Sequence, residues 1–450
     1  MALIHKLLPL AGGALLSMGS TIAGAQAPID VPTLKAAIER SLTSTYPALD
    51  TLYKDLHAHP ELAFQETRTA ARLAGEMRRL GFEVTEGIGK TGLVAIYRNG
   101  PGPSVLVRTE LDALPMEEKT GLPYASKRVV DWKGKATPVA HSCGHDLHMA
   151  AWVGTAQTLV SMKARWQGTL MFVAQPAEEE VSGAKAMLED GLFTRFGKPD
   201  YAFALHSAPK PVGFIGFEAG PITSNSDALE LRFKGRGAHG SAPNKAIDPI
   251  MMASRFVVDL QSVISREKDP KEFGVVTVGA IQGGTAGNII PDDVMLRGTI
   301  RSYKADVREQ LLGGVRRTAK AVADMAGAPE PELRIVEGGK AVINDPQLVA
   351  ATEAVLRSAY GNWVTRIPAI TGSEDFSEFV NAGVKSMYFF VGAYDPHHKP
   401  DPGKTGGAAL PSNHSPFFAP APEPAIKAGV GAMSLAVLSA LAQGKAANQP

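Results

Sequence analysis

The stretch Ala140–Ala150, "AHSCGHDLHMA", holds the only cysteine of the chain and three of its eleven histidines. A thiol alone in a chain cannot close an intramolecular disulfide. Three chemistries remain for Cys143: a small buried hydrophobe, a nucleophile or a metal ligand. Three further polar clusters recur along the chain: "PAEEE" with Glu178, Glu179 and Glu180, "ALHSAP" with His206, and "PSNHSP" with His414. Taken singly, each has an ordinary explanation. A histidine at a strand end is usually just polar, and an acidic triplet is usually a solvated edge. Together, Cys, His and carboxylate at strand ends make up the donor set of zinc, manganese or another divalent transition metal.

The elements that must position these clusters alternate between strand and helix. Val31 to Arg79 reads as helix, interrupted at "HAHPEL" by Pro60. "GLVAIYRNG" and "SVLVRTELDALP" read as strands with a turn between them. "HMAAWVGTAQTLVSM" follows as a helix, "GTLMFVAQPAEEE" as a buried strand, "AKAMLEDGLF" as a helix and "YAFALHSAP" as a strand. This order predicts an α/β fold, a mostly parallel sheet covered by helices on both faces. Its polar clusters fall just after apolar strands, where such sheets build their sites.

Near Thr223 the texture changes. "ALELRFKG", "FGVVTVGAIQGG" and "DVMLRGTIRSY" alternate as strands. "DPIMMASRFVVDLQSVIS" and "ADVREQLLGGVRRTAKAVADMAG" are amphipathic helices. They predict a small α+β sandwich over 224–337, inserted between two parts of a catalytic domain, 28–223 and 338–450. A terminal helix is expected over Pro422 to Leu441, with a frayed polar tail after it.

The 450 residues carry Lys+Arg 46 against Asp+Glu 45. A net charge of +1 offers no footing for a nucleic-acid or anionic-membrane partner. The N-terminus has a short basic start at His5 and Lys6, an apolar run from Leu7 to about Met18, and the small-x-small pattern Ala25-Gln26-Ala27. That is the layout of a secretory signal over 1–27, cleaved after Ala27. No other stretch reads as a membrane span, so an exported, periplasmic enzyme is expected.

The pieces "LHAHPELAFQET", "RTELDALP", "HSCGHDLHMA", "QPAEEEVSGAKAML", "LHSAP", "GRGAHGSAP", "GGTAGNIIPDDVMLRGTIR", "GSEDFSEF" and "PSNHSP" run in order from His57 to Pro416. In these the chain resembles the aminoacylase/carboxypeptidase family of metallopeptidases. Within it the chain is most similar to the amidohydrolase branch of hippurate hydrolases, N-acyl-amino-acid amidohydrolases and indole-acetyl-amino-acid hydrolases. The resemblance implies a catalytic α/β domain with two divalent metal ions and an inserted lid domain. Zinc and manganese lead as the metals, with cobalt and nickel also compatible. The implied ligands are Cys143, His145, Glu179, His206 and His414, with the cysteine bridging two ions. Glu178 is implied as the general acid/base.

Asp112 either orients a metal-site histidine or water, or caps the turn before Pro115. Asp146 is expected to orient a ligand imidazole. Glu180 stands where glycine is usual and is expected to face solvent. Glu110, His57, His59, His141 and His148 carry no assigned role. From the inserted domain, the resemblance implies that His239 stabilises the oxyanion. Asn288 and Arg301 are implied to hold the free carboxylate of a small-molecule substrate, the arginine through its planar fork.

The function implied is hydrolysis of the amide bond of N-acyl-amino acids or related conjugates. A carboxypeptidase or dipeptidase with the same machinery is the nearest rival. A non-catalytic conjugate binder and a cysteine hydrolase stand further off. Homodimerisation is a tendency of the family.

Overall fold

The computed structural model describes residues 29–397 and 410–447. The expected signal segment lies outside these residues. An eight-stranded sheet forms the larger layer system. Its centre is four parallel strands, in the order Gly168–Gln175, Ser104–Glu110, Tyr201–Pro211, Lys385–Tyr394. The pair Glu83–Ile88 and Gly92–Asn99 extends one side antiparallel. Ile215–Phe217 turns antiparallel on the other side and carries Val364–Arg366. The sheet is therefore mixed but mostly parallel: three parallel pairings lie in the centre and a fourth joins Ile215–Phe217 to Val364–Arg366 at one edge. Of its antiparallel pairings, that of Glu83–Ile88 with Gly92–Asn99 is a tight hairpin, which needs no crossover helix.

Both faces of the central strands are dry. Val105 and Val107 join one apolar cluster and Leu106 the other; Leu170, Met171, Phe172 and Val173 alternate in the same way. A strand with period-two side chains, apolar on both sides, must be covered twice. One cover is built from the helices Val31–Ala58, His145–Ser161 and Pro422–Ala447, the other mainly from Gly183–Glu189 and Ser377–Asn381. Pro60 lies just beyond the first helix, and the second runs Thr67–Arg79, as the sequence predicts.

The last helix extends to Ala447, past the expected end at Leu441. Among the described residues, Pro422–Gln443 is the one segment long and apolar enough to cross a membrane. The expectation that no such stretch follows the signal is corrected here. Most of the segment is buried inside the protein against its neighbouring helices, so its hydrophobicity builds the core.

A separate four-stranded antiparallel sheet has the order Gly274–Gln282, Asp293–Ser302, Asp227–Lys234, Glu332–Glu337. Helices Pro249–Asp259 and Ala305–Ala326 pack on it around Leu231, Phe233, Phe256 and Leu311. Here the strands alternate buried and wet positions, as a sheet covered on one face must.

Candidate active site

The carboxyl ends of three central strands converge on one cavity of about 760 Å³. Beyond Glu110 the chain reaches Asp112. Beyond Gln175 it turns through Pro176 and Ala177 to Glu178 and Glu179. His206 stands in the third strand, Tyr201–Pro211. Cys143 immediately precedes the helix His145–Ser161, whose entry Gly144 is left-handed at φ 89°. A Cβ on Gly144 would sit 2.6 Å from Ser207 Oγ, so only glycine lets this turn close on the strand. His414 arrives from the C-terminal loop, its N–H donating to Ser142 O at 2.8 Å. Its backbone is also left-handed, at φ 67°, an uncommon conformation for a non-glycine residue and one that gathers at functional sites.

All five sequence-predicted ligands meet. Cys143, His145 and His206 offer donor atoms within 4.8 Å of one another, and Cys143, Glu179 and His414 do the same. The sulfur is common to both groups, as a ligand shared by two ions would be. Histidine tautomers are set from outside the cluster. His145 Nδ1 donates to Asp112 O at 2.7 Å, and His206 Nδ1 donates to Ser207 O at 2.8 Å. Each ring therefore turns an Nε2 lone pair inward, His206 Nε2 lying 3.4 Å from the sulfur.

His145 Nε2 and Glu179 Oε1 are buried and lack a hydrogen-bond partner. Orphaned buried donors and acceptors are costly, and a cation would satisfy both. The acid-rich surroundings point the same way. Burial works to lower the His145 pKa, yet Asp112, Glu110 and Glu179 hold it up at about 10. Burial and the carboxylates of Glu179 and Glu178 push the Cys143 thiol up. The His145 shift, and the carboxylates' share of the Cys143 shift, reflect negative charge that cations would neutralise.

Glu178 is buried beside the ligands, its Oε2 3.7 Å from His145 Nε2. Burial, then Glu374, Glu179 and Asp375, raise its carboxyl well above the usual range. Asp112 holds this dipeptide in place: Oδ1 accepts from Glu178 N at 3.0 Å and Oδ2 from Glu179 N at 2.9 Å. With its carbonyl on His145, Asp112 orients a cluster histidine and caps a turn, but that turn is the one at residues 177–179. Glu180 is exposed, as expected.

The sequence reading missed the ion network under the site. Arg108 is fully buried and pairs with Glu110, Glu374 and Asp375. Glu110 Oε2 in turn engages His148 Nδ1 at 3.0 Å, and His148 Nε2 accepts from Ser207 N at 2.8 Å. Both His148 nitrogens are thus occupied, which keeps that ring out of the donor set. The signal was present in "SVLVRTE", where an arginine interrupts an apolar strand, and in "GSEDF". A charge at a core position asks for partners.

The expected role of Asp146 is corrected. Its Oδ2 binds His57 Nδ1 at 2.6 Å, away from the cluster. His57 Nε2 meets Glu118 at 3.1 Å, tying the first helix to the loop after Pro115. His59 is exposed. His141 is buried with neither ring nitrogen partnered, and burial drives its pKa down to about 4.

The three residues taken from the inserted segment divide. Arg301 lines the cavity, its Nη1 donating to Thr371 O at 3.4 Å. His239 and Asn288 are exposed and do not line it. The two-residue ladder of Ala238–His239 with Ile289–Ile290 places them side by side on a loop of the smaller sheet. His239 Nδ1 is taken by Ser241 Oγ at 2.7 Å.

Residues 106–404, spanning most of these site residues, match the model of peptidase family M20/M25/M40. The chain belongs to that family. Hippurate hydrolase of Campylobacter jejuni is 37% identical over 343 residues, covering 75% of this chain and 85% of the relative. Thermostable carboxypeptidase 2 of Saccharolobus solfataricus is 35% identical over 345 residues, covering 75% and 84%. A dinuclear metal binding M20 peptidase of Bacillus subtilis superposes with a TM-score of 0.72 at 29% identity, covering 88% of this chain and 98% of that one. This M20/M25/M40 member is a metal-dependent hydrolase of amide bonds.

Proposed function

We propose that this hydrolase cleaves N-acyl-amino acids, or related conjugates with a free α-carboxylate, into a carboxylic acid and an amino acid. The observation that carries this reading is the cavity itself. Arg301 stands on its wall together with the apolar side chains of Phe214, Ile367, Pro368 and Ile370. A guanidinium pairs with a carboxylate bidentately. The apolar wall gives an acyl group a dry seat.

Cys143, His145, Glu179, His206 and His414 would hold two divalent ions, zinc or manganese in first place. The mixed sulfur, nitrogen and oxygen donors suit borderline cations. When bound, such a pair supplies Lewis-acid polarisation and a water acidified for attack. Glu178 takes the proton of the attacking water and returns it to the departing nitrogen. Its raised proton affinity fits a group that must carry that proton between the two steps. Asp112 keeps Glu178 aimed, and Arg301 fixes the other end of the substrate. No step is assigned to His239 or Asn288, which face solvent here.

The test is a substrate panel run on wild type and Arg301→Lys. Aromatic and aliphatic N-acyl-amino acids should exceed dipeptides in kcat/KM, and a chelator should abolish turnover until metal is restored. Lysine keeps the charge but loses the fork. Kcat/KM should fall about 10–100-fold on the acids, the worth of a charge-assisted hydrogen bond, and hardly at all on α-carboxamides. Faster turnover of dipeptides would favour the carboxypeptidase reading. Equal loss on acid and amide would remove Arg301 from carboxylate recognition.

We also propose that residues 1–27 are removed on export to the periplasm and that the mature chain forms a homodimer. Strand Gly274–Gln282 supports the second point. It is an uncharged, nine-residue edge with Ile281 exposed, the kind of edge that pairs with another chain. Intact mass and sedimentation of exported protein read both points. A retained Met1, or a monomer at micromolar concentration, would refute the respective one.

A further inference from the structure

The loop that carries Glu178 and Glu179 is held in an uncommon shape. Ala177 has φ 47° and Val181 φ 49°, both left-handed without being glycine. The loop folds on itself: Val181 N donates to Glu178 O at 2.7 Å, and Gly183 N donates to Ala177 O at 3.2 Å. A Cβ at Gly183 would lie 1.5 Å from Pro176 O, so no other residue fits that closure. Neighbouring side chains of an extended segment point to opposite sides. The left-handed turn at Ala177 breaks that alternation just before Glu178 and Glu179, and both of these face the cavity.

Three successive amides of this turn end on carboxylate oxygens. Asp112 takes those of Glu178 and Glu179, as described above. The third, Ala177 N, donates to Glu66 Oε1 at 2.8 Å, across 111 residues of chain. Glu66 is completely buried, and its Oε2 is held by Thr91 Oγ1 at 2.5 Å.

The plain alternative is that Glu66 is only a helix cap, since it directly precedes Thr67–Arg79. Its side chain makes no bond to that helix. Glu61 does that work, accepting from Arg68 N at 3.2 Å and Thr69 N at 2.8 Å. A second carboxylate thus serves the helix end, and Glu66 is free to reach across to the catalytic loop.

We propose that Glu66, braced by Thr91, is a positioning residue for hydrolysis: by binding the Ala177 amide it fixes the left-handed turn that aims Glu178 at the attacking water. This rests on the reading of Glu178 as the acid/base. Without Glu66 the buried Ala177 N–H has no acceptor, and the turn relaxes toward an ordinary backbone. Glu178 then points wrongly while the substrate-binding wall is untouched.

The experiment measures kcat, KM, bound metal and melting temperature at saturating metal on one N-acyl-amino acid. Glu66→Ala should lower kcat about 10–100-fold, the scale of a misplacement near 1 Å, with KM within about threefold. Glu66→Gln keeps an oxygen for Ala177 N and a polar group for Thr91, so it should recover most of kcat. Thr91→Val, the milder change, should lower kcat without moving KM, and it serves if the alanine variant does not fold. In a Glu178→Gln background, Glu66→Ala should cost almost nothing more in turnover. Unchanged kcat in folded, metal-loaded Glu66→Ala or Thr91→Val would overturn the proposal. So would a full, additive loss in the Glu178→Gln background. If instead Glu178→Gln alone keeps wild-type turnover, the acid/base reading fails, and that result is distinct from either outcome at Glu66.

Discussion

Glu178→Gln is expected to bind metal normally, melt no lower than wild type and lose nearly all turnover. The amide copies the shape of the carboxyl and keeps the backbone bond to Asp112, so neither the loop nor Glu179 should move. What disappears is the ability to hold a proton between attack and departure. General acid–base assistance is typically worth about 10²–10⁴-fold, and kcat should fall by that amount with little change in KM. The stability half of the prediction follows from the neighbours. Glu178 shares a buried pocket with Glu374 and Asp375, their carboxylate oxygens lying within 4.8 Å of one another. Arg108 pairs directly with Glu374 and Asp375 and is not hydrogen-bonded to Glu178. Removing one member of an acid cluster relieves repulsion and desolvation, so the variant should be as stable or more so. Gain in stability with loss of function is the trade expected at a site built for chemistry. Near-wild-type kcat in a metal-loaded variant would end the assignment.

The proposed donor set could be named from the sequence because its members stand in short motifs that carry the family resemblance. Cys143, His145, Glu179, His206 and His414 are separated by up to 271 positions, yet each sits in a strand, at a helix start or in a loop that the hydrophobic pattern already marks. Supporting groups were less visible. Glu66, Arg108, Glu110 and Glu374 act through backbone amides and through each other, and no local spacing encodes a bond such as Glu66 to Ala177. Arg108 was the readable exception, a charge where the strand pattern demands an apolar residue. The mostly parallel sheet was legible, four of its seven pairings being parallel, but the antiparallel pairings at its flanks were not. Periodicity locates a strand but not its direction, and the short strands at the sheet edges carry little pattern of their own. His239 and Asn288 show the converse limit. Their motifs are clear, but the position of their loop relative to the cavity is a tertiary matter that no local sequence feature specifies.

Cys143→Ser tests whether the shared sulfur holds the centre together. Burial and nearby carboxylates oppose ionisation of this thiol, so its thiolate form depends on cations beside it. A serine hydroxyl at the same place stays neutral and is a poor donor to a borderline cation. Because the sulfur belongs to both donor groups, its loss should weaken both ions rather than one. Bound metal per chain should fall well below the wild-type value after dialysis, with turnover falling alongside it. The thermal consequence follows by mass action. A ligand present at a hundred times its Kd adds about 2.7 kcal/mol to folding stability. Wild type should therefore melt several degrees higher with metal than with chelator. The serine variant should lose most of that difference and should melt close to wild type once both are stripped. The comparison in chelator matters, because it separates the ligand role from simple packing. A buried cysteine that only fills space would lower the melting temperature equally with and without metal. If Cys143→Ser keeps the wild-type metal content and the full metal-dependent rise in melting temperature, the sulfur is not a ligand, and the two donor groups that share it must be drawn without it.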